Sequence, residues 1–379
     1  MIVMKFGGSS FRDLDAWQRV LSIIKSRGKS KPVIVVSAIA GITNELEAIA
    51  TGASFGNKQR VQSSFERITT THFEACELLR LGKDTRQSIG MRLRELRLGL
   101  ESVMTLGELT ARTLDQILAH GEILSSTLLT AYLHRHGLPV AFVDSRDLIL
   151  TDDHFSAASP QIAISKIRSR KRLLPLLEQN VIPVLPGFIG ATESGLTTTL
   201  GRGGSDYSAS LFAAWLKADE VEVWKDVPGF MTADPNVVSD AQTIQHLSYQ
   251  EAEQLCRYGA KILHPLAVRY AARKNLAIRV LYTREPEHPG TVISQNKKNP
   301  APHVIGIAAH KPSGRVTVIG DGLRKPMVAA RILNSCGGME ILRVSHNSQR
   351  SRMILVMMKE DTDRAIRQIH DGVKSFLCE

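Results

Sequence analysis

The sequence predicts an α/β fold, a largely parallel sheet sandwiched by helices, joined to a small α+β domain. Three observations predict it. Short β-branched apolar runs at 2–6 and 33–36 alternate with segments of helical period, such as Leu14, Trp17, Val20, Leu21 and Ile24. A long helix-forming block fills 42–135, and the pattern changes after a stretch rich in proline and glycine.

The elements follow in order. Buried-strand candidates lie at 140–143, 181–185, 221–224 and 277–281, each separated from the next by a helical stretch, which suits parallel pairing covered on both faces. The block 42–135 should break near 51–57 and 82–85. The stretch 285–303, with Pro286, Pro289, Gly290, Pro300 and Pro302, reads as a linker. Beyond it come strands at 304–308 and 315–319, a helix at 327–336, strands at 340–345 and 353–358, and a helix at 361–376. The expected division is therefore a large domain over 1–290 and a compact α+β domain over 303–379.

Composition narrows the function. The 379 residues are 43% hydrophobic and 22% charged, which supports packed domains and argues against disorder. No apolar run reaches the roughly 20 residues of a membrane span, and no basic segment leads into a hydrophobic one at the start. Cys76, Cys256, Cys336 and Cys378 are scattered without metal-ligand spacing, so the expectation is a soluble protein of a reducing cytoplasm with no membrane partner. The net charge of +11 raises nucleic acid as a partner. The excess is spread out, however. Its densest cluster, Lys166, Arg168, Arg170, Lys171 and Arg172, reads as a solvated helix end, and only 5% of residues are aromatic, so stacking platforms for bases would be sparse. Nucleic acid is not expected.

Two glycine loops carry chemistry. Lys5-Phe6-Gly7-Gly8-Ser9-Ser10 closes the first strand. It is either a tight turn or a phosphate cradle, since paired glycines let backbone N–H groups approach a ligand, and Lys5 at its mouth is placed to put charge on phosphoryl oxygens. The second runs from Thr197 through Leu200, Gly201, Arg202, Gly203 and Gly204 to Ser205 and Asp206, before a helix over 207–217. Ser205 as N-cap and Asp206 at the positive helix end explain those two residues by capping alone. Capping does not explain Arg202, whose planar fork suits a carboxylate or phosphate.

Together with Ser37–Asn44, His120-Gly121-Glu122, Gly187-Phe188-Ile189-Gly190, Asp226-Val227-Pro228-Gly229, Thr232-Ala233-Asp234-Pro235 and Gly259–Pro265, these loops resemble aspartokinase motifs in the same order, over residues 2 to about 295. Aspartokinases are members of the amino-acid kinase family. The resemblance implies transfer of the γ-phosphoryl group of ATP, with Mg²⁺, to the side-chain carboxylate of L-aspartate, the entry step to lysine, threonine and methionine. It implies that Lys5 and Lys261 neutralise charge on the phosphates with Asp206 holding the lysines, and that Gly7, Gly8, Ser9 and Ser10 cradle those phosphates. Lys225, Asp226, Met231, Asp234 and Lys261 would line the nucleotide site. Arg202 would pair with the α-carboxylate of aspartate and Glu122 with its ammonium, while Thr43, Phe188, Gly203 and Ser205 would complete the pocket. By its own pattern Glu122 reads as a solvated helix glutamate.

Departures from the family pattern bear on the nucleotide. Lys225 stands where a small hydroxyl residue is frequent, Met231 where tyrosine is common and Asn236 where an arginine usually follows Asp-Pro. Lys225 is expected to replace part of the lost charge. The tail, with Val316–Gly322 and Val344–Gln349, resembles an ACT regulatory domain, present once where the family normally carries two. A homodimer follows as an expectation. The alternatives are a related amino-acid kinase acting on an aspartate analogue, or a catalytically weakened amino-acid sensor.

Overall fold

A computed structural model of the chain describes residues 1–295 and 304–377. The chain divides into two compact units, Met1–Asp226 and Val227–Glu379. The expected linker lies partly, at 296–303, outside the described residues, as does Cys378.

The first unit runs β1 (Ile2–Phe6), α1 (Leu14–Ser26), β2 (Pro32–Val36), α2 (Ile42–Ser54), α3 (Lys58–Leu78), α4 (Lys83–Leu106), α5 (Ala111–Arg135), β3 (Val140–Phe142), α6 (Ile162–Glu178), β4 (Ile182–Pro186), β5 (Ile189–Ala191), β6 (Thr197–Thr199), α7 (Gly204–Leu216) and β7 (Glu220–Lys225). The apolar stripe expected of α1 is buried at Trp17, Val20, Leu21 and Ile24, and Asp13 starts the helix by accepting from the Ala16 N–H at 2.8 Å. Five strands lie side by side in the order β3-β4-β2-β1-β7, every pair parallel. Because β1, β2 and β4 are buried at every position, they read as apolar runs rather than alternating ones, that of β1 interrupted only by Lys5.

Register places the site. Phe6 is opposite both Val36 and Trp224, and Val36 is opposite Pro186, so four strands end level with one another. The loops that follow them begin at Gly7, Ser37, Asp226 and Gly187, and ligands of open parallel sheets bind at such carboxyl ends.

The structure corrects several expectations. The helical block has a third break, at Gly107–Thr110: Gly107 ends α4 at φ +66 and Thr110 caps α5 through the Thr113 N–H. Residues 197–199 are not loop but strand, paired antiparallel with β5. The N-cap of α7 is Gly203 at φ +74, with Ser205 already inside the helix. The basic cluster at 166–172 lies mid-helix in α6 and is mostly exposed, Arg170 alone turning to donate to the Trp215 carbonyl.

The second unit contains β8 (His246–Leu247), α8 (Tyr249–Tyr258), α9 (Pro265–Lys274), β9 (Ala277–Tyr282), β10 (Thr291–Ile293), β11 (Gly306–His310), β12 (Arg315–Ile319), α10 (Pro326–Ser335), β13 (Ile341–Asn347), β14 (Arg352–Met357) and α11 (Thr362–Val373). β10 falls within the stretch expected to be linker and pairs antiparallel with β9. β11, β12, β14 and β13 form an antiparallel sheet in that order. Its core joins Val316, Val318 and Leu355 to Ile332, Ile366 and Ile369 of the helices and takes in Ala233, Val237 and Val238 from the segment before β8. Among the described residues no helix is long and apolar enough to cross a membrane.

Candidate active site

Lys5, the penultimate residue of β1, is only 4% exposed, and its ammonium lies 2.6 Å from Asp206 Oδ1. The second oxygen of Asp206 faces another ammonium, that of Lys225 at the tip of β7, at 3.4 Å. These three side chains meet because β1 and β7 are neighbours in register and Asp206 stands in the first turn of α7. Burial alone would push the Asp206 carboxyl up, but Lys225 and Lys5 together outweigh it and hold the group at about 2. Burial, opposed by Asp206 and reinforced by Lys225, lowers Lys5 to about 8. Two buried or half-buried cations thus share one carboxylate. Two ammonium groups bordering one open space favour an anion there.

The two glycines beside this cluster differ in kind. A Cβ on Gly8 would sit 2.5 Å from the Ala38 carbonyl oxygen and 2.9 Å from the Ala40 nitrogen, so backbone packing there demands glycine. A Cβ on Gly7 would meet only Trp224 O, Lys5 Nζ and Lys225 Cδ at 3.7–4.0 Å. Gly7 therefore leaves open the space that the two lysines border. Nearby, Ser10 is buried with its hydroxyl unpartnered, and Ser9 is half-buried.

A second set of residues comes from α5, β4 and the loop before α7. Glu122 is 4% exposed, which overturns its reading as a solvated glutamate. Gly121 permits this: a Cβ there would lie 2.8 Å from the Ala38 methyl and 3.3 Å from Leu46 Cδ1. Burial pushes the Glu122 carboxyl up to about 7, against the backbone N–H groups of Ala38 and Glu122, the charge of Lys5 and the Ser205 hydroxyl. Its Oε2 has no hydrogen-bond partner. A buried carboxylate with an empty oxygen is an acceptor awaiting a donor. Phe188, just beyond β4, is buried at φ +72, a rare conformation for an aromatic residue, and its N–H donates to Ser208 Oγ at 2.9 Å. The space for Gly204 is set by Phe188, and that for Gly187 by Ser205.

Thr43 stands half-buried in the first turn of α2, whose cap, Gly41 at φ +87, has no side chain to satisfy the helix N–H groups. Arg202 is exposed at the loop tip between Gly201 and Gly203, both at positive φ. Asp226, exposed, ends the first unit.

The remaining expected residues belong to the second unit. Met231 is half-buried, and Lys261 is exposed between α8 and α9. Asp234 is exposed and accepts from Asn236 twice, from its N–H at 2.9 Å and its amide at 3.0 Å, so the residue standing for the usual arginine serves as a turn partner. Asp206 was expected to hold Lys5 and Lys261; it pairs with Lys5 and with Lys225, a partner the sequence did not suggest, and Lys261 belongs to the second unit.

Sequence reasoning passed over Asp115, a fully buried carboxylate on α5. The signal was available: Asp115, Leu118 and Glu122 fall on one face of a single helix.

The amino acid kinase family model matches residues 1–282. The chain is 36% identical to lysine-sensitive aspartokinase 3 of Escherichia coli over 300 residues, covering 79% of this chain and 65% of that protein. It is 35% identical to the aspartokinase of Chlamydia trachomatis over 312 residues, 81% of this chain and 68% of that one. It spans about half to two thirds of the length of the first curated relatives it matches. The crystal structure of E. coli aspartokinase III with aspartate and ADP superimposes with a TM-score of 0.89 at 25% identity, over 99% of this chain and 100% of that one. By the motifs, the parallel sheet and these likenesses, the chain belongs to the amino acid kinase family and, within it, to the aspartokinases.

Proposed function

We propose that the protein transfers the γ-phosphoryl group of ATP to the side-chain carboxylate of L-aspartate, giving 4-phospho-L-aspartate. The observation that carries this reading is the pair of lysines, Lys5 and Lys225, sharing the single carboxylate of Asp206 beside Gly7. A polyphosphate is an anion that two such ammonium groups attract. Phosphoryl transfer asks the protein mainly for position and charge, and both lysines border the space a transferring group would occupy. The acceptor carboxylate of aspartate is ionised near neutral pH, so no general base is required. Gly8 and Ser9 hold the phosphates through backbone N–H groups and Ser9 and Ser10 through their hydroxyls, while Gly7, whose N–H is given to the Trp224 carbonyl and whose carbonyl takes the Ser10 N–H, leaves the space open. Glu122 takes the substrate ammonium on its empty oxygen, and Arg202 takes the α-carboxylate as a bidentate fork. Thr43, Phe188, Gly203 and Ser205 wall the pocket.

Mg²⁺ fits this donor set only as an ion carried on the phosphates. Both oxygens of Asp206 face ammonium groups, and among the described residues the one cluster of possible metal ligands is Asp240, His370 and Asp371 in the second unit. Bound so, it would neutralise phosphate charge.

The antiparallel sheet of the second unit with α10 and α11 supports the reading of an ACT-type domain. β13 supports a homodimer, since it is an edge strand with Leu342 and Val344 exposed. Sedimentation of the purified protein tests that pairing.

Trapping with hydroxylamine tests the reaction. Aspartate, MgATP and the protein should yield aspartyl hydroxamate, and Lys5→Ala should abolish it. No hydroxamate from the unaltered protein at any acceptor concentration would refute the activity.

A further inference from the structure

Asp115 has no part in the chemistry above, yet its carboxylate is wholly buried and, among the described residues, forms no salt bridge. A buried carboxylate without a cation is costly unless hydrogen bonds repay it. It accepts three: from the Ser156 N–H and the Thr199 N–H, both at 2.9 Å on Oδ2, and from the Thr199 hydroxyl at 2.8 Å on Oδ1. Every donor lies outside α5. Burial still holds the carboxyl above its ordinary range against these bonds.

The two donor segments lead to the substrate pocket. Thr199 ends β6, three residues before Arg202, and the next residue, Leu200, donates its N–H to the Phe188 carbonyl at 2.8 Å. Ser156 sits at φ +71, a conformation the Asp115 bond to its N–H helps to hold. Its carbonyl oxygen would lie 3.3 Å from a Cβ on Gly201, and Ala158 N–H donates to the Thr199 carbonyl at 2.9 Å. The segment 156–158 thus backs the Arg202 loop, and Asp115 grips both. On its other side Asp115 is fixed by α5, two helical turns before Glu122.

We propose that Asp115 is a positioning residue for the acceptor substrate: it fastens the Arg202 loop to the helix that carries Glu122, and so sets the spacing between the groups that take the α-carboxylate and the α-ammonium of one amino acid. This rests on the aspartate-kinase reading. Such a spacing is sensitive, since a displacement of about 1 Å costs up to about a hundredfold in rate.

The role depends on acceptor geometry rather than on charge. In Asp115→Asn the amide oxygen still accepts both N–H groups, and the amide NH₂ donates to the Thr199 hydroxyl, which rotates to accept. In Asp115→Ala all three donors lose their partner.

Steady-state kinetics of the full chain tests this, with hydroxamate formation by the unaltered protein as the control. Asp115→Ala should raise KM for aspartate about tenfold or more while KM for ATP stays within about twofold. Asp115→Asn should restore aspartate KM to within about threefold of the unaltered protein. In an Arg202→Ala background Asp115→Ala should add little, because the loop it places no longer carries the fork. Should Asp115→Ala not fold, Thr199→Val removes the hydroxyl bond alone and must shift aspartate KM in the same direction, less steeply. An unchanged aspartate KM, an equal rise in both KM values, or full additivity with Arg202→Ala would overturn the proposal. An inactive unaltered protein would instead bring down the reading on which it rests.

Discussion

In the proposed reaction the protonation of Lys5 and Glu122 sets the working range of the site. Lys5 must carry its proton to attract phosphate, so kcat/KM for ATP should fall above about pH 8, where the buried ammonium of the free enzyme titrates. Lys225 depresses that value, so Lys225→Ala should move the alkaline limb upward while weakening ATP binding about tenfold, the worth of one charge-assisted hydrogen bond. Glu122 imposes the opposite limb, since it must be ionised to take an ammonium: kcat/KM for aspartate should fall below about pH 7, and Glu122→Gln should remove that limb along with most of the binding. The same group bears on stability. Its folded value is raised from 4.5 to about 7, so its contribution is fully present below pH 4.5 and is lost as pH rises through 7. Glu122→Gln without ligand should therefore melt at a higher temperature than the unaltered protein at pH 8, by calorimetry. Burial of an ionisable group whose oxygen awaits substrate trades stability for binding.

At the scale of elements, the glycine turn after β1 makes two demands that residue type alone does not separate. Gly8 faces main chain across the turn and Gly7 faces lysine side chains. Gly8→Ala should destabilise the fold by roughly 1–3 kcal/mol, since neighbouring backbone has to move. Gly7→Ala should leave the melting temperature nearly unchanged and raise KM for ATP, and thermal melts beside nucleotide kinetics of the two variants check the contrast. Much of this architecture was legible in advance. Apolar runs at β1, β2 and β4 announced buried parallel strands, and the stripe of α1 announced its face. Short elements were less legible: β5 and β6 have three residues each, and Thr197–Thr199, read with the glycines that follow, resembled loop. The break at Gly107 was written in the sequence as a glycine followed by a capping threonine, but helix-forming residues on both sides masked it. The shared helix face of Asp115 and Glu122 was visible in the sequence, but their burial was not, because it depends on Ala38, Ser156 and Thr199, far away in the chain.

Across the whole molecule, the linker punctuation near 285–303 and the packing of the second unit tell different things. Prolines and glycines mark where backbone turns. The hydrophobic core marks what melts together, and there Ala233, Val237 and Val238 share one cluster with Val316, Leu355 and Ile366. A chain ending at residue 295 should therefore expose those side chains, bind a hydrophobic dye and unfold at lower temperature than the full chain. Equal melting of the two would show that this core adds nothing to the segment 233–238. The family likeness carried residue roles that no physical reading of one sequence supplies, while the shared use of Asp206 by Lys5 and Lys225 emerged only from the folded arrangement.

In the proposed reaction the ammonium groups of Lys5 and Lys225 bind the nucleotide phosphates. Calorimetric titration of ADP into the unaltered protein, Lys5→Ala, Lys225→Ala and the exposed control Lys171→Ala tests it most directly. Affinity should drop about tenfold or more in the Lys5 and Lys225 variants and stay unchanged in the control. Equal ADP affinity in all four proteins would contradict it.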